Sequence, residues 1–69
     1  MLEYMRVADA IAAQIASGGL QPGTRLPAEP HLAEEYGVAY HTVRRAMQVL
    51  RDRGLVETFW GKGNFVTGR

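Results

Sequence analysis

No cysteine occurs in these 69 residues, so neither a disulfide framework nor a cysteine-ligated zinc finger holds the chain together. The sequence has only two histidines, too few for a structural zinc site. Long apolar runs are missing as well. Nothing approaches the roughly 20 residues that a bilayer span needs, and Glu3, Arg6 and Asp9 interrupt the N-terminus before it can build the apolar centre of a secretory signal. There are no repeats and no low-complexity tracts. No acid pair, nucleophile–base set or metal-ligand cluster can be assembled at a meaningful spacing, which sets enzyme chemistry aside and calls for no cofactor. The expectation is a soluble, cytoplasmic, single domain over residues 1–69. A chain this short buries only about 60% of the surface its unfolded form exposes, so it depends on compact helix packing.

Net charge is also scarce, at +1, but its distribution is uneven. Arg6 and Arg25 against Glu3, Asp9, Glu29, Glu34 and Glu35 leave residues 1–36 at −3. Arg44, Arg45, Arg51, Arg53, Lys62 and Arg69 against Asp52 and Glu57 leave residues 37–69 at +4. A basic half beside an acidic half suggests a one-sided footprint for a polyanion.

What the sequence does contain is strong periodicity. Tyr4, Val7, Ala8, Ile11 and Ile15 fall three and four apart and so share one face of a first helix, which Gly18-Gly19 closes. Gln21-Pro22-Gly23-Thr24 reads as a turn, and Leu26 as part of a short extended piece before Pro27. A second helix is predicted from about Glu29 to Tyr36, burying Leu32, Ala33 and Tyr36. Pro30 is tolerated there because an N–H in the first turn has no intrahelical partner. Gly37 stops this helix and Val38 drops into the core. A third helix follows from about Tyr40 to Arg53, with Val43, Ala46, Met47 and Leu50 inward and Gly54 closing it.

After Gly54 the period changes. Leu55–Trp60 and Phe65–Thr67 are rich in branched and aromatic residues, and Gly61-Lys62-Gly63-Asn64 between them reads as the turn of a β-hairpin. Phe59 and Trp60, as neighbours on a strand, point to opposite faces, so one is expected to enter the core and the other to be exposed. Three helices, a tight turn between the second and third, then a hairpin: this is the order of a winged helix-turn-helix, mainly α with a small β-hairpin. In that architecture the third helix enters the major groove and its first residues meet base edges. Those residues are Tyr40, His41, Thr42, Arg44 and Arg45. Arginine grips guanine O6 and N7, or a phosphate, with two hydrogen bonds. The helix N-terminus adds free N–H groups for a phosphate, and Lys62 at the hairpin tip reaches the backbone or the minor groove.

Leu26-Pro27-Ala28-Glu29, Leu32-Ala33, Gly37-Val38, Thr42-Val43-Arg44, Ala46, Leu50, Gly54-Leu55-Val56, Gly61-Lys62-Gly63 and Phe65-Val66 together resemble the N-terminal domain of the GntR family of bacterial transcriptional regulators. Pro22-Gly23 matches too, and Tyr40–Arg45 is similar to the HutC-like branch. The resemblance covers nearly the whole chain. It implies that Thr42 and Arg44 contact DNA from the recognition helix and that Gly61 and Gly63 form a wing tip entering the minor groove. It also implies a palindromic double-stranded operator, repression, and a C-terminal domain beyond these residues that dimerises the protein and binds a small-molecule effector. There are departures. Pro30 and Tyr40 stand where many members carry arginines, Trp60 replaces a polar wing residue, and Ala28 and Ala39 replace serine N-caps.

Each of these residues also has a plainer reading. Arg44 and Arg45 could be a solvated face, but their place at the start of the third helix favours DNA. Arg51 and Arg53, near its end, suit the helix dipole and read as structural. Tyr40 has packing on the second helix as its alternative, and Gly61 and Gly63 are turn residues whatever else they do. A winged helix can also serve as a protein-docking module. The Arg/His/Thr cluster with Lys62 is the wrong surface for that, and no RRM-like aromatic pair points to RNA.

Overall fold

The computed structural model describes residues 2–68. Three helices, α1 (Glu3–Ser17), α2 (Glu29–Tyr36) and α3 (Tyr40–Asp52), precede two antiparallel strands, β1 (Val56–Phe59) and β2 (Gly63–Val66). The inward stripes of the helices meet as their spacing requires. Val7, Ala8 and Ile11 from α1, Leu32 and Ala33 from α2, and Val43, Ala46, Met47 and Leu50 from α3 form one core with Leu26, Val56 and Val66. Tyr4, Ile15, Tyr36 and Val38 pack half-buried at its edge. Burial, and secondarily the charge of Glu35, pushes the Tyr36 phenol above its ordinary pKa, so it stays neutral. None of the described helices is long and apolar enough to cross a membrane.

Glycine terminates the helices where left-handed backbone is needed. Gly37 closes α2 at φ 66° while donating to Ala33 and Glu34 carbonyls, which turns the chain sharply into α3. At the end of α3, Arg53 is the C-cap and Gly54 follows at φ 74°. The Leu55 N–H then reaches the Leu50 carbonyl at 2.9 Å, a six-to-one closure that satisfies an orphan carbonyl. The N-termini are different. Ala28 and Ala39 are the N-caps of α2 and α3, and neither provides a side-chain hydrogen bond. Such a cap is ordinarily worth about 1 kcal/mol. Without it no capping side chain meets the first N–H groups of either helix.

The hairpin departs from its sequence reading. β2 begins at Gly63, so Gly63 and Asn64 are strand residues and the turn is Trp60–Lys62, closed by the Lys62 N–H on the Phe59 carbonyl at 2.9 Å. The pairs are Val56 with Val66, Glu57 with Phe65, Thr58 with Asn64 and Phe59 with Gly63. Period two then places Val56, Thr58, Asn64 and Val66 on the face toward the helices, Thr58 still exposed and the other three buried. Neither aromatic enters the core. Phe59 lies on the outer face, 49% exposed, with its ring edge-on to Phe65 at 5.6 Å, and Trp60 has left the strand for the turn.

β2 has a second neighbour. Leu26 N–H donates to the Asn64 carbonyl at 2.8 Å, Val66 N–H to Thr24 at 2.9 Å, and Arg25 bridges Phe65 in antiparallel sense. The extended piece before α2 is thus a third, one-bridge strand that ties the wing to the body.

Candidate nucleic-acid interface

α3 presents its outward residues in two directions. Positions 40, 44 and 51 share one flank of the helix and face α2 and the wing, while 41, 45 and 48 point outward or toward α1. Tyr40 and Arg44 therefore line an open cleft between the start of α2, α3 and the wing, together with Arg25, Gly61, Lys62 and Gly63. Five of the eight residues expected from sequence meet there: Tyr40, Arg44, Gly61, Lys62 and Gly63. The other three lie outside it. His41 is exposed on the outer surface of α3, and Thr42 is half-buried, its N–H on the Ala39 carbonyl at 3.0 Å. Arg45 leans toward α1, its guanidinium carbon 4.3 Å from the Tyr4 ring centroid, a cation–π stack.

The cleft floor is a hydrogen-bonded chain running from a cation to a carboxylate. Arg51 donates to the Thr58 hydroxyl at 2.8 Å, Thr58 donates to Asn64 Oδ1 at 2.6 Å, and Asn64 Nδ2 donates to Glu29 Oε2 at 3.1 Å. Glu29 Oε1 accepts a longer bond, 3.4 Å, from the Tyr40 hydroxyl. Arg51 also donates to Gln48 at 3.0 Å, and Gln48 to Asp52 at 2.9 Å. Asn64 is only 8% exposed, and a polar group so buried is costly unless satisfied. Its bonds therefore fix the wing against both helices of the turn. Arg51 is tied to the wing by a specific bond and lines the same cleft, and Arg53 pairs with Asp9 of α1 at 3.0 Å.

Among the described residues the ion pairs are Glu3–Arg6 and Asp9–Arg53. Arg25, Arg44, Arg45, Arg51 and Lys62 thus carry charge without a carboxylate partner, and all of these but Arg51 are also free of side-chain hydrogen bonds. Arg25 is the residue the sequence reading passed over. A Cβ on Gly63 would stand 3.0 Å from Arg25 Nε and would press the guanidinium aside, and the backbone φ of 119° there itself favours glycine. The available signal was alternation: Leu26 is inward, which turns Arg25 out. That the segment pairs with β2 was not visible, because the partners lie about forty residues apart.

Three helices with a glycine-closed turn, a basic third helix and a hairpin docked beside it define a winged helix-turn-helix DNA-binding domain. Residues 3–66 match the family described as "Bacterial regulatory proteins, gntR family", and the chain belongs to that family, whose members regulate transcription and are not enzymes. It is 43% identical over 63 residues to the mannosyl-D-glycerate transport/metabolism system repressor MngR of Escherichia coli (strain K12), a match covering 91% of this chain and 26% of that protein. A histidine utilization repressor of Klebsiella aerogenes is 38% identical over 63 residues, again 91% and 26%. The chain thus spans about a quarter of the length of these relatives. Among solved structures, the DNA-binding domain of AraR in complex with operator ORX1 superposes with a TM-score of 0.93 at 33% identity, covering 97% of this chain and 81% of that one.

Proposed function

We propose that this domain reads operator DNA as the head of a transcriptional repressor, with the first half of α3 in the major groove and the wing in the adjoining minor groove. One observation carries the reading: the unpaired cations Arg25, Arg44 and Lys62 converge on a single cleft between α3 and the wing. Arg44 supplies bidentate recognition of a guanine edge. The uncapped N–H groups at the start of α3 receive a phosphate, where the helix dipole favours negative charge. Thr42 and Arg45 flank the bases and hold the backbone, and His41 and Tyr40 offer hydrogen bonds to base edges. Gly61 and Gly63 keep the wing thin enough to enter a groove. That the structurally similar AraR domain is solved in complex with operators supports the DNA reading.

The operator has two-fold symmetry, and a C-terminal domain outside this chain dimerises the protein and receives a small-molecule effector. The protein works in the bacterial cytoplasm, at the nucleoid. Phosphate neutralisation makes binding steeply salt-dependent. Four free cations predict a slope of log K against log salt of about −3 to −4. Fluorescence anisotropy of a labelled duplex at low and moderate salt measures it. Absence of binding at low salt, or a flat response to salt, would count against the DNA reading.

A further inference from the structure

We infer that Trp60 is itself a DNA contact, one that departs in kind from the cations around it and rests on the DNA reading above. Trp60 is 96% exposed, the most exposed of the large apolar side chains. β1 ends one residue earlier, so Trp60 belongs to the turn and its indole stands free of the hairpin's own packing. It borders the same cleft as Arg25, Arg44 and Lys62, and beside it Gly61, at φ 77°, offers a backbone without side chain and with open space around it. An indole left in water loses the burial energy that a ring of its size can gain. The charge of its neighbours selects what covers it. A ring of unpaired cations suits a polyanion and repels the apolar groove of a protein partner that also excludes charge. The apolar part of a nucleic-acid backbone is its sugar, and the minor groove also presents base acceptors within reach of a donor. Trp60 lays its ring along the deoxyribose wall of the minor groove while its indole N–H donates to an acceptor at the groove floor. The contribution is tolerant of sequence and independent of salt, because no counterion is released by a neutral side chain.

Trp60 is the chain's one tryptophan, so its own emission reports the contact. Titrate the chain with a labelled duplex, following duplex anisotropy and tryptophan fluorescence together, with acrylamide quenching before and after saturation. The expected result is altered emission and reduced acrylamide access at the DNA concentrations where anisotropy rises. Trp60→Ala weakens binding about tenfold with an unchanged salt slope, and Trp60→Phe keeps most of the affinity. Anisotropy that rises while tryptophan emission and acrylamide access stay fixed would overturn the inference and leave the DNA reading standing. So would full affinity in Trp60→Ala, or tryptophan already shielded in concentrated chain before DNA is added. No rise in anisotropy at all would sink both.

Discussion

Replacing Arg44 with alanine lowers affinity for a specific site by about five- to 150-fold, the range for losing a bidentate base contact. Arg53→Ala leaves that affinity nearly unchanged. Both are exposed arginines on or next to α3, so generic basicity predicts equal effects. Their surroundings separate them. Arg44 has no carboxylate partner and lies on the flank that faces the wing, its guanidinium 5.9 Å from the Tyr40 ring. That weak stack orients the group without neutralising it. Arg53 sits at the far end of the helix, held by Asp9. An exposed pair of that kind contributes about 0–1 kcal/mol to stability, and its loss is read in thermal unfolding rather than in DNA affinity. Anisotropy with both variants, each checked by circular dichroism, decides the matter. Equal losses would reduce the interface to undirected charge.

Joining two copies of the domain raises affinity for a two-half-site duplex by about 10²–10⁴ over one copy on one half-site, because the second binding event becomes intramolecular. The free chain is expected to be monomeric. The inward stripes of α1, α2 and α3 are all used in one common core. Of the exposed large apolar side chains, Leu2, Tyr40, Phe59 and Trp60, Tyr40 and Trp60 border the cleft proposed to meet DNA and Phe59 packs edge-on against Phe65, so among the described residues no helical apolar stripe is left for a second copy. On the proposed symmetric operator, with each α3 reading one half-site, a single copy is then expected to bind weakly. Sedimentation of the free chain, with titration of a tandem-linked pair onto half-site and palindrome, checks both parts. A stable dimer of the free chain at micromolar concentration would show the interface to be misplaced.

The helices were readable in sequence because their determinants are local. A stripe such as Val43, Ala46, Met47 and Leu50 fixes its own face, and Gly18, Gly37 and Gly54 mark ends that only a left-handed residue makes without strain. The same periodicity located α3 and turned Tyr40 and Arg44 to the flank that lines the cleft. The wing was less legible, because its register depends on distant partners. Asn64 reads as a turn residue until Glu29 and Thr58 are seen to satisfy it inside the sheet. Gly63 likewise becomes a strand residue only through its pairing with Phe59. Trp60 could not be placed until β1 was seen to end at Phe59. Arg45 shares the charge and neighbourhood of Arg44, but one step of about 100° around the helix turns it to Tyr4 of α1, a tertiary contact that no local pattern carries.

Selection of bound sequences from a pool of random duplexes tests the central claim most directly. If the N-terminal half of α3 reads base edges beside the wing, repeated rounds enrich one short motif containing a guanine, and Arg44→Ala relaxes the preference at that position while the rest of the motif persists. Pools that remain random after binding, or an enriched motif that Arg44→Ala leaves unchanged, would contradict the assignment of α3 as the reading helix.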